Sequence, residues 1–251
     1  MHRFYLPPDQ CHGPTLVLSG GEAHHASRVL RVAPGDRVTV LDGAGQELHC
    51  EVTGADKRMV GLHVLKQTMH PPPACQFTLL QAIPKGKILE SIIEKATELG
   101  VHRIVPLLTD RVVTRLNDDS AAEKAVKWQH VAIEAIKQCG AAWLPRIEAP
   151  VTLPEFLARK ESYELSLVGA LQGEARPPRE VLREFTAGQG RGARSIAVWI
   201  GPEGDFTLAE LQAIQSAGAK PITLGKLVLR VETAAIYCLS FLHYELQSLR
   251  D

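Results

Sequence analysis

Hydrophobic and polar positions alternate in short runs along the first seventy or so residues, the period of half-buried strands. The runs predict strands over Thr15 to Leu18, Arg37 to Leu41, Gln46 to Thr53 and Val60 to Leu65. Gly35-Asp36 and Asp42-Gly43 supply turn chemistry between them. One segment departs from this pattern: Glu22, Ala23, Ala26 and Leu30 are spaced for a short helix over 21–30. Pro71-Pro72-Pro73 then removes three backbone donors and fixes φ at each position, so neither helix nor central strand continues through it. A domain boundary is expected there, separating a small, mostly β domain over 1–71 from a second domain over 74–251.

The period changes beyond the prolines. Phe77 to Ile83 is an apolar run of strand length, and Lys87 to Leu99 carries Ile88, Leu89, Ile92, Ile93 and Ala96 on one helical face before Gly100 stops it. Arg103 to Leu108 predicts a strand and Ala121 to Cys139 a long helix ended by Gly140. Further strands are expected at Leu165 to Leu171, Ser195 to Ile200 and Pro221 to Leu224. Thr207 and Glu210 have capping-box spacing for a helix running to about Gly218, and Glu232 to Leu249 predicts a closing amphipathic helix. Strands alternating with helices imply an α/β fold with a mostly parallel sheet covered on both faces.

Composition narrows the function classes. Lys plus Arg number 28 against 28 Asp plus Glu, so any basic surface for nucleic acid must be local. The amino-terminal segment has no signal-peptide apolar core, and no stretch approaches the ~20 apolar residues of a membrane helix. Cys11, Cys50, Cys75, Cys139 and Cys238 are scattered and form no CxxC pair, which argues against a disulfide framework or zinc site and for a reducing, cytoplasmic setting.

Two segments carry the candidate chemistry. Trp199 to Phe206, WIGPEGDF, is an apolar strand running into a glycine-containing turn and then a helix. Ligands of open parallel sheets sit beyond the carboxyl ends of strands, so the turn lies where a ligand would, although a plain tight turn reads the same way. Leu224 to Ala235, LGKLVLRVETAA, repeats the arrangement, with Glu232 also suited to the positive end of a helix whatever its function. Arg3, Arg28 and Arg31, beside Phe4 and Tyr5, combine cations and aromatics as RNA readers do, or are simply solvated. Gly188 to Ala193 matches the letters GxGxxA but precedes a strand instead of following one, which argues against a dinucleotide fingerprint. Cys139 fits buried filler, and His24-His25 has no metal spacing.

The pair GPEGDF and LGKLVLRVETAA resembles the two signature loops of the SPOUT methyltransferases, in particular the uridine-N3 family of ribosomal RNA small subunit methyltransferase E. The resemblance extends over nearly the whole chain through His2 to Tyr5, His25 to Val32 (HASRVLRV), Pro34 to Asp36, Asp42-Gly43, Glu94 to Val101 (EKATELGV), Pro106, Arg111, Trp128 and Ala135 to Gly140 (AIKQCG). It implies an α/β SPOUT (trefoil-knot) methyltransferase domain preceded by a PUA-like β-barrel domain, with S-adenosyl-L-methionine as methyl donor and no metal. It further implies 16S ribosomal RNA of the small subunit as substrate, a homodimer, and no membrane association. Similar sequences carry glycine where Asp205 stands and arginine where Ala141 and Leu227 stand.

On this resemblance, the donor site is expected to comprise Ile200, Gly201, Glu203, Gly204, Leu224, Gly225, Val228, Leu229, Thr233 and Ala234. Uracil N3 must lose a proton before it takes a methyl group, and a cation near O2 or O4 would stabilise the anion. Arg230 is the candidate for that role, while Glu203 either orients the donor or accepts the proton. Arg3, Arg28, Arg31 and Arg111 are candidates for RNA contact, Arg111 reaching toward the partner's pocket. Methylation of a ribose 2′-OH or of transfer RNA, and RNA binding without catalysis, are the alternatives.

Overall fold

The computed structural model describes the chain except Lys57 and residues 113–117, 172–174 and 248–251, and except the side chains of 118–120 and 247. It divides into two compact units, Met1–Pro72 with Ile133–Leu144, and Pro73–Ala132 with Pro145–Asp251.

The first unit contains β1 (His2–Tyr5), β2 (Thr15–Ser19), the short helix α1 (Gly20–His24), β3 (Arg37–Leu41), β4 (Gln46–Ala55) and β5 (Met59–Met69). They form one sheet in the order β1-β3-β4-β5-β2, antiparallel except for the β1–β3 pair. Phe4 of β1 and Leu16 and Leu18 of β2, the two edge strands, share one buried cluster with Val38, Val40, Leu48 and Leu62. Edges can meet in a single core only if the sheet curls, and register shifts at His49/Cys50 and Val52/Gly54 add the local twist that curling needs. The helix expected over 21–30 is α1 followed by a π-helical turn, His25–Leu30, closed by Arg31 at φ 54. The end of a long helix belongs to this unit: Arg3 Nη1 donates to the carbonyl of Gln138 at 3.0 Å, and Lys137 Nζ to Glu22 Oε1 at 2.7 Å. The HRFY segment, whose charge and aromatics draw attention in the sequence, is therefore also an edge strand and a helix cap.

The second unit holds β6 (Gln76–Ala82), α2 (Ile88–Glu98), β7 (Arg103–Leu108), the long helix α3 (Asp118–Cys139) up to Ala132, β8 (Arg146–Ile147), β9 (Val151–Thr152), α4 (Leu153–Ala158) and β10 (Leu165–Gly169). α5 (Pro178–Gln189), β11 (Ser195–Ile200), α6 (Leu208–Ser216), β12 (Lys220–Ile222) and α7 (Val231–Gln247) complete it. The last two residues of the helix expected over 232–249 lie outside the described residues. The sheet runs β12-β10-β11-β6-β7-β8, with β9 also on β7, and every pairing is parallel.

Parallel strands are buried on both faces, which is why β6 and β11 are mainly apolar and buried along nearly their whole length, Thr78 and Gln81 included. Leu80, Leu107, Val168 and Trp199 on one face pack with Phe156 of α4 and Ile214 of α6, and Trp199 meets Phe156 edge to face at 5.4 Å. α7 packs against α2, β6 and β11. Because all strands point the same way, the chain segments leaving β12, β10, β11 and β6 stand side by side along one edge.

Candidate functional site

That edge holds a cavity of about 610 Å3, lined by the segments leaving β10, β11 and β12, the start of α7, and Ile88 of α2. Such a volume suits a nucleoside-sized ligand.

The turn after β11 is folded tightly enough to require glycine at its first position. A Cβ on Gly201 would lie 2.8 Å from Asp205 Oδ1 and 3.0 Å from the Phe206 nitrogen, closer than side chains approach. The Asp205 nitrogen donates to the Pro202 carbonyl at 2.9 Å and closes the turn. Immediately after it, α6 begins at a complete capping box, Thr207 Oγ1 accepting from the Glu210 nitrogen and Glu210 Oε2 accepting from the Thr207 nitrogen.

Side chains tie this turn and the start of α6 to the segments after β6, β7 and β10. Glu203 Oε1 accepts from the Lys85 nitrogen after β6 at 2.9 Å. Asp205 Oδ2 accepts from the Leu171 nitrogen after β10 at 3.3 Å. Glu210 is buried, and its Oε1 accepts from the Asp110 nitrogen after β7 at 2.8 Å. Arg111 Nη1 donates to the Gly204 carbonyl.

The segment after β12 is more open. Thr223 Oγ1 accepts from the Gly225 nitrogen at 3.3 Å, and Gly225 sits at φ 114, where a side chain would be strained. Leu227 and Val228 are 78% and 77% exposed, large apolar side chains held in solvent beside the cavity. The Ala234 nitrogen donates to the Arg230 carbonyl at 2.8 Å, so Arg230 closes the first turn of α7 while its own side chain is exposed at the cavity wall.

Of the residues expected at the donor site, Ile200, Gly201, Glu203, Leu224, Gly225, Val228, Leu229 and Ala234 line the cavity, as does Arg230. Gly204 and Thr233 are not in the lining. Arg28 and Arg31 are exposed around the π-helical turn of the first unit, Arg3 is half-buried, and Arg111 lies over Gly204 of its own chain. Sequence reasoning missed the wall formed by Gly169, Ala170 and Leu171, and also Asp205 and Ile88. An apolar strand ending in glycine at Leu-Val-Gly was the available signal for the first of these. No cysteine lines the cavity; burial pushes the thiols of Cys11 and Cys238 up to about 12 and that of Cys50 up to about 11, so none of these three is an activated nucleophile. Among the described residues, no group of three or more His, Cys, Asp or Glu could hold a metal ion, and no helix is long and apolar enough to cross a membrane.

The family model of the RNA methyltransferase domain matches residues 71–243, and that of the RNA methyltransferase PUA domain matches residues 18–60. The ribosomal RNA small subunit methyltransferase E of Bacillus subtilis is 30% identical over 242 residues, covering 94% of this chain and 93% of its own. A methyltransferase of Legionella pneumophila solved with SAM bound is 30% identical, with a TM-score of 0.87 over 97% of both chains. The ribosomal RNA small subunit methyltransferase E of Neisseria gonorrhoeae, solved with S-adenosyl methionine, is 28% identical, with a TM-score of 0.85 over 98% of both. A PUA-like unit, a parallel α/β unit and a cavity at the carboxyl edge of its sheet agree with these matches, and the chain belongs to the ribosomal RNA small subunit methyltransferase E family of RNA methyltransferases.

Proposed function

We propose that the chain transfers a methyl group from S-adenosyl-L-methionine to N3 of a uridine in 16S ribosomal RNA, acting as a cytoplasmic homodimer. The observation that carries this reading is the cavity built jointly by the segments leaving β11 and β12. Its lining fits the donor's chemistry: Ile88, Ile200, Leu224 and Leu229 offer apolar surface to a purine, main-chain groups of 201–205 and 223–229 offer hydrogen bonds, and Glu203 and Glu232 offer negative charge to a cationic ligand. The bound structures of the Legionella and Neisseria relatives support the same assignment.

The donor supplies an activated methyl group on a sulfonium. The chain's own task is alignment and stabilisation of the uracil anion, for N3 must release its proton to solvent water and form an N–C bond as the donor's S–C bond breaks, that bond's electron pair staying on sulfur. Arg230 is the cation assigned to the anion, being exposed at the cavity wall. Glu203 already accepts from the Lys85 nitrogen, which favours a role in holding the donor pocket over one as proton acceptor. Backbone at Gly201, Leu224, Gly225, Val228 and Leu229, with Ala234, encloses the adenosyl group, and Gly204 and Thr233 lie behind it. Arg28 and Arg31 meet RNA phosphates, aided by Arg3, and Arg111 serves the partner's pocket.

The test is methyl transfer from labelled donor onto small subunits lacking the modification, followed by mass spectrometry of the nucleosides. 3-Methyluridine is expected. A ribose-methylated nucleoside, or transfer to transfer RNA alone, overturns the assignment.

A further inference from the structure

Asp205 is a non-glycine residue at φ 61, in the left-handed region that favours glycine. It sits in the turn after β11 and lines the cavity. If only the local turn were at stake, glycine would fill the position with less strain. What the aspartate adds is its carboxylate, and both oxygens are in use: Oδ1 accepts from the Phe206 nitrogen at 2.8 Å, and Oδ2 from the Leu171 nitrogen at 3.3 Å. The two donors belong to different segments, one leaving β11 and the other leaving β10, and both segments form cavity wall. The fit continues beneath the carboxylate, since Oδ1 occupies the space that a side chain on Gly201 would need.

We propose that Asp205 is a positioning residue for the methyl donor, setting its affinity by tying the segment after β10 to the turn after β11 across the cavity wall. The inference rests on the function proposed above. A ligand held chiefly by main-chain groups is bound as well as those groups are placed, so a side chain that fixes two backbone segments governs affinity without supplying the reacting group. The tie bears on binding more than on the methyl-transfer step, for neither Leu171 nor Phe206 is assigned to the uracil.

Three proteins decide it: wild type, Asp205→Gly and Asp205→Asn, each titrated calorimetrically with S-adenosylmethionine and followed by amide hydrogen exchange and thermal unfolding. Asp205→Gly relieves the left-handed backbone and is expected to keep its Tm, to bind the donor about tenfold more weakly, and to exchange the Leu171 amide faster. Asp205→Asn tolerates the same backbone but turns an amide NH2 toward one of the two N–H donors, so an intermediate loss is expected. In turnover, donor KM rises in both variants while kcat falls far less. Donor affinity equal to wild type in the glycine variant overturns the inference; should that variant fail to fold, equal affinity in the asparagine variant does so. A wild-type protein that binds no donor overturns the proposed function itself, and this inference with it.

Discussion

The two ends of the parallel sheet use the same residue types in opposite ways. At the amino ends of the strands, charged side chains pair with one another: Arg103 donates to Glu148 and to both oxygens of Glu161, Arg159 reaches Glu148 at 2.8 Å, and Arg191 grips Glu164 just before β10. At the carboxyl ends, Glu203, Asp205 and Glu210 each accept from a main-chain N–H of a neighbouring segment, and one N–H of Arg111 donates to a main-chain carbonyl. Ion pairs among side chains fasten strands already set by the ladder. Ties from side chain to backbone instead fix loops that have no ladder, and they leave a space between those loops. The contrast assigns stability to one edge and ligand binding to the other.

Removing Arg103 is the strongest way to break that contrast. Its side chain is 17% exposed and Glu148 only 8%, so Arg103→Ala leaves carboxylates short of a partner in a poorly solvated place. A loss of about 3 kcal/mol is expected, a fall in Tm on the order of 10 °C. Thermal unfolding measures it, while methyl transfer per folded molecule at low temperature should stay near wild type. A large loss of specific activity with little loss of stability would reverse the assignment of the two edges.

Arg230→Ala is the complementary change. Withdrawing the cation from the uracil anion should lower kcat by about a hundredfold, with Tm and calorimetric donor affinity little altered. Equal losses in kcat and donor affinity would remove Arg230 from the reacting atoms and make it part of the donor pocket. Smaller again is Gly201→Ala, whose methyl group would meet Asp205 Oδ1 and the Phe206 nitrogen. The turn must open to admit it, so donor affinity is expected to fall by about tenfold with a modest change in Tm, measured on the same instruments.

Sequence legibility follows the same division. The central strands are readable because burial on both faces makes them mainly apolar, and the 201–204 and 224–230 segments are readable because strand, turn and helix succeed one another within a few residues. The third wall of the cavity was not. Residues 169–171 look like the end of a strand expected to reach Leu171, and only the sheet order β10-β11-β6 brings them and Ile88 to the site. α4 was missed although Thr152 and Glu155 form the same capping box that reveals α6, because only six helical residues follow it. α5 escaped because most of it is polar and only Val181 and Leu182 are buried. β8 and β9, at two residues each, have no pattern to read. The destination of the end of α3 is likewise invisible, for nothing in AIKQCG says that its last turns pack with the first unit. Asp205 shows the limit from the other side: the departure is plain in the sequence, but its hydrogen bonds to Leu171 and Phe206 exist only in the fold.

Acid should separate the two edges more gently. Hydrogen bonds from Arg103 hold the Glu161 carboxyl at about 2, against 4.5 for the free side chain, and Arg191 with the Arg194 nitrogen holds Glu164 at about 2 as well. A carboxyl depressed in the folded state stabilises that state fully above its unfolded value and loses the contribution as it becomes protonated in the native protein. Stability supplied by Glu161 and Glu164 is therefore complete above about pH 4.5 and declines as the pH falls toward about 2. Urea unfolding across this window should show midpoints falling with pH in the wild type and a shallower fall in Glu161→Gln, which has no proton to take up at that position. Only the amino edge is perturbed by this substitution, so at neutral pH donor affinity should match wild type. An equally steep acid limb in the variant would mean that the Arg103 cluster does not govern acid stability, and the division of labour between the two edges would lose its electrostatic half.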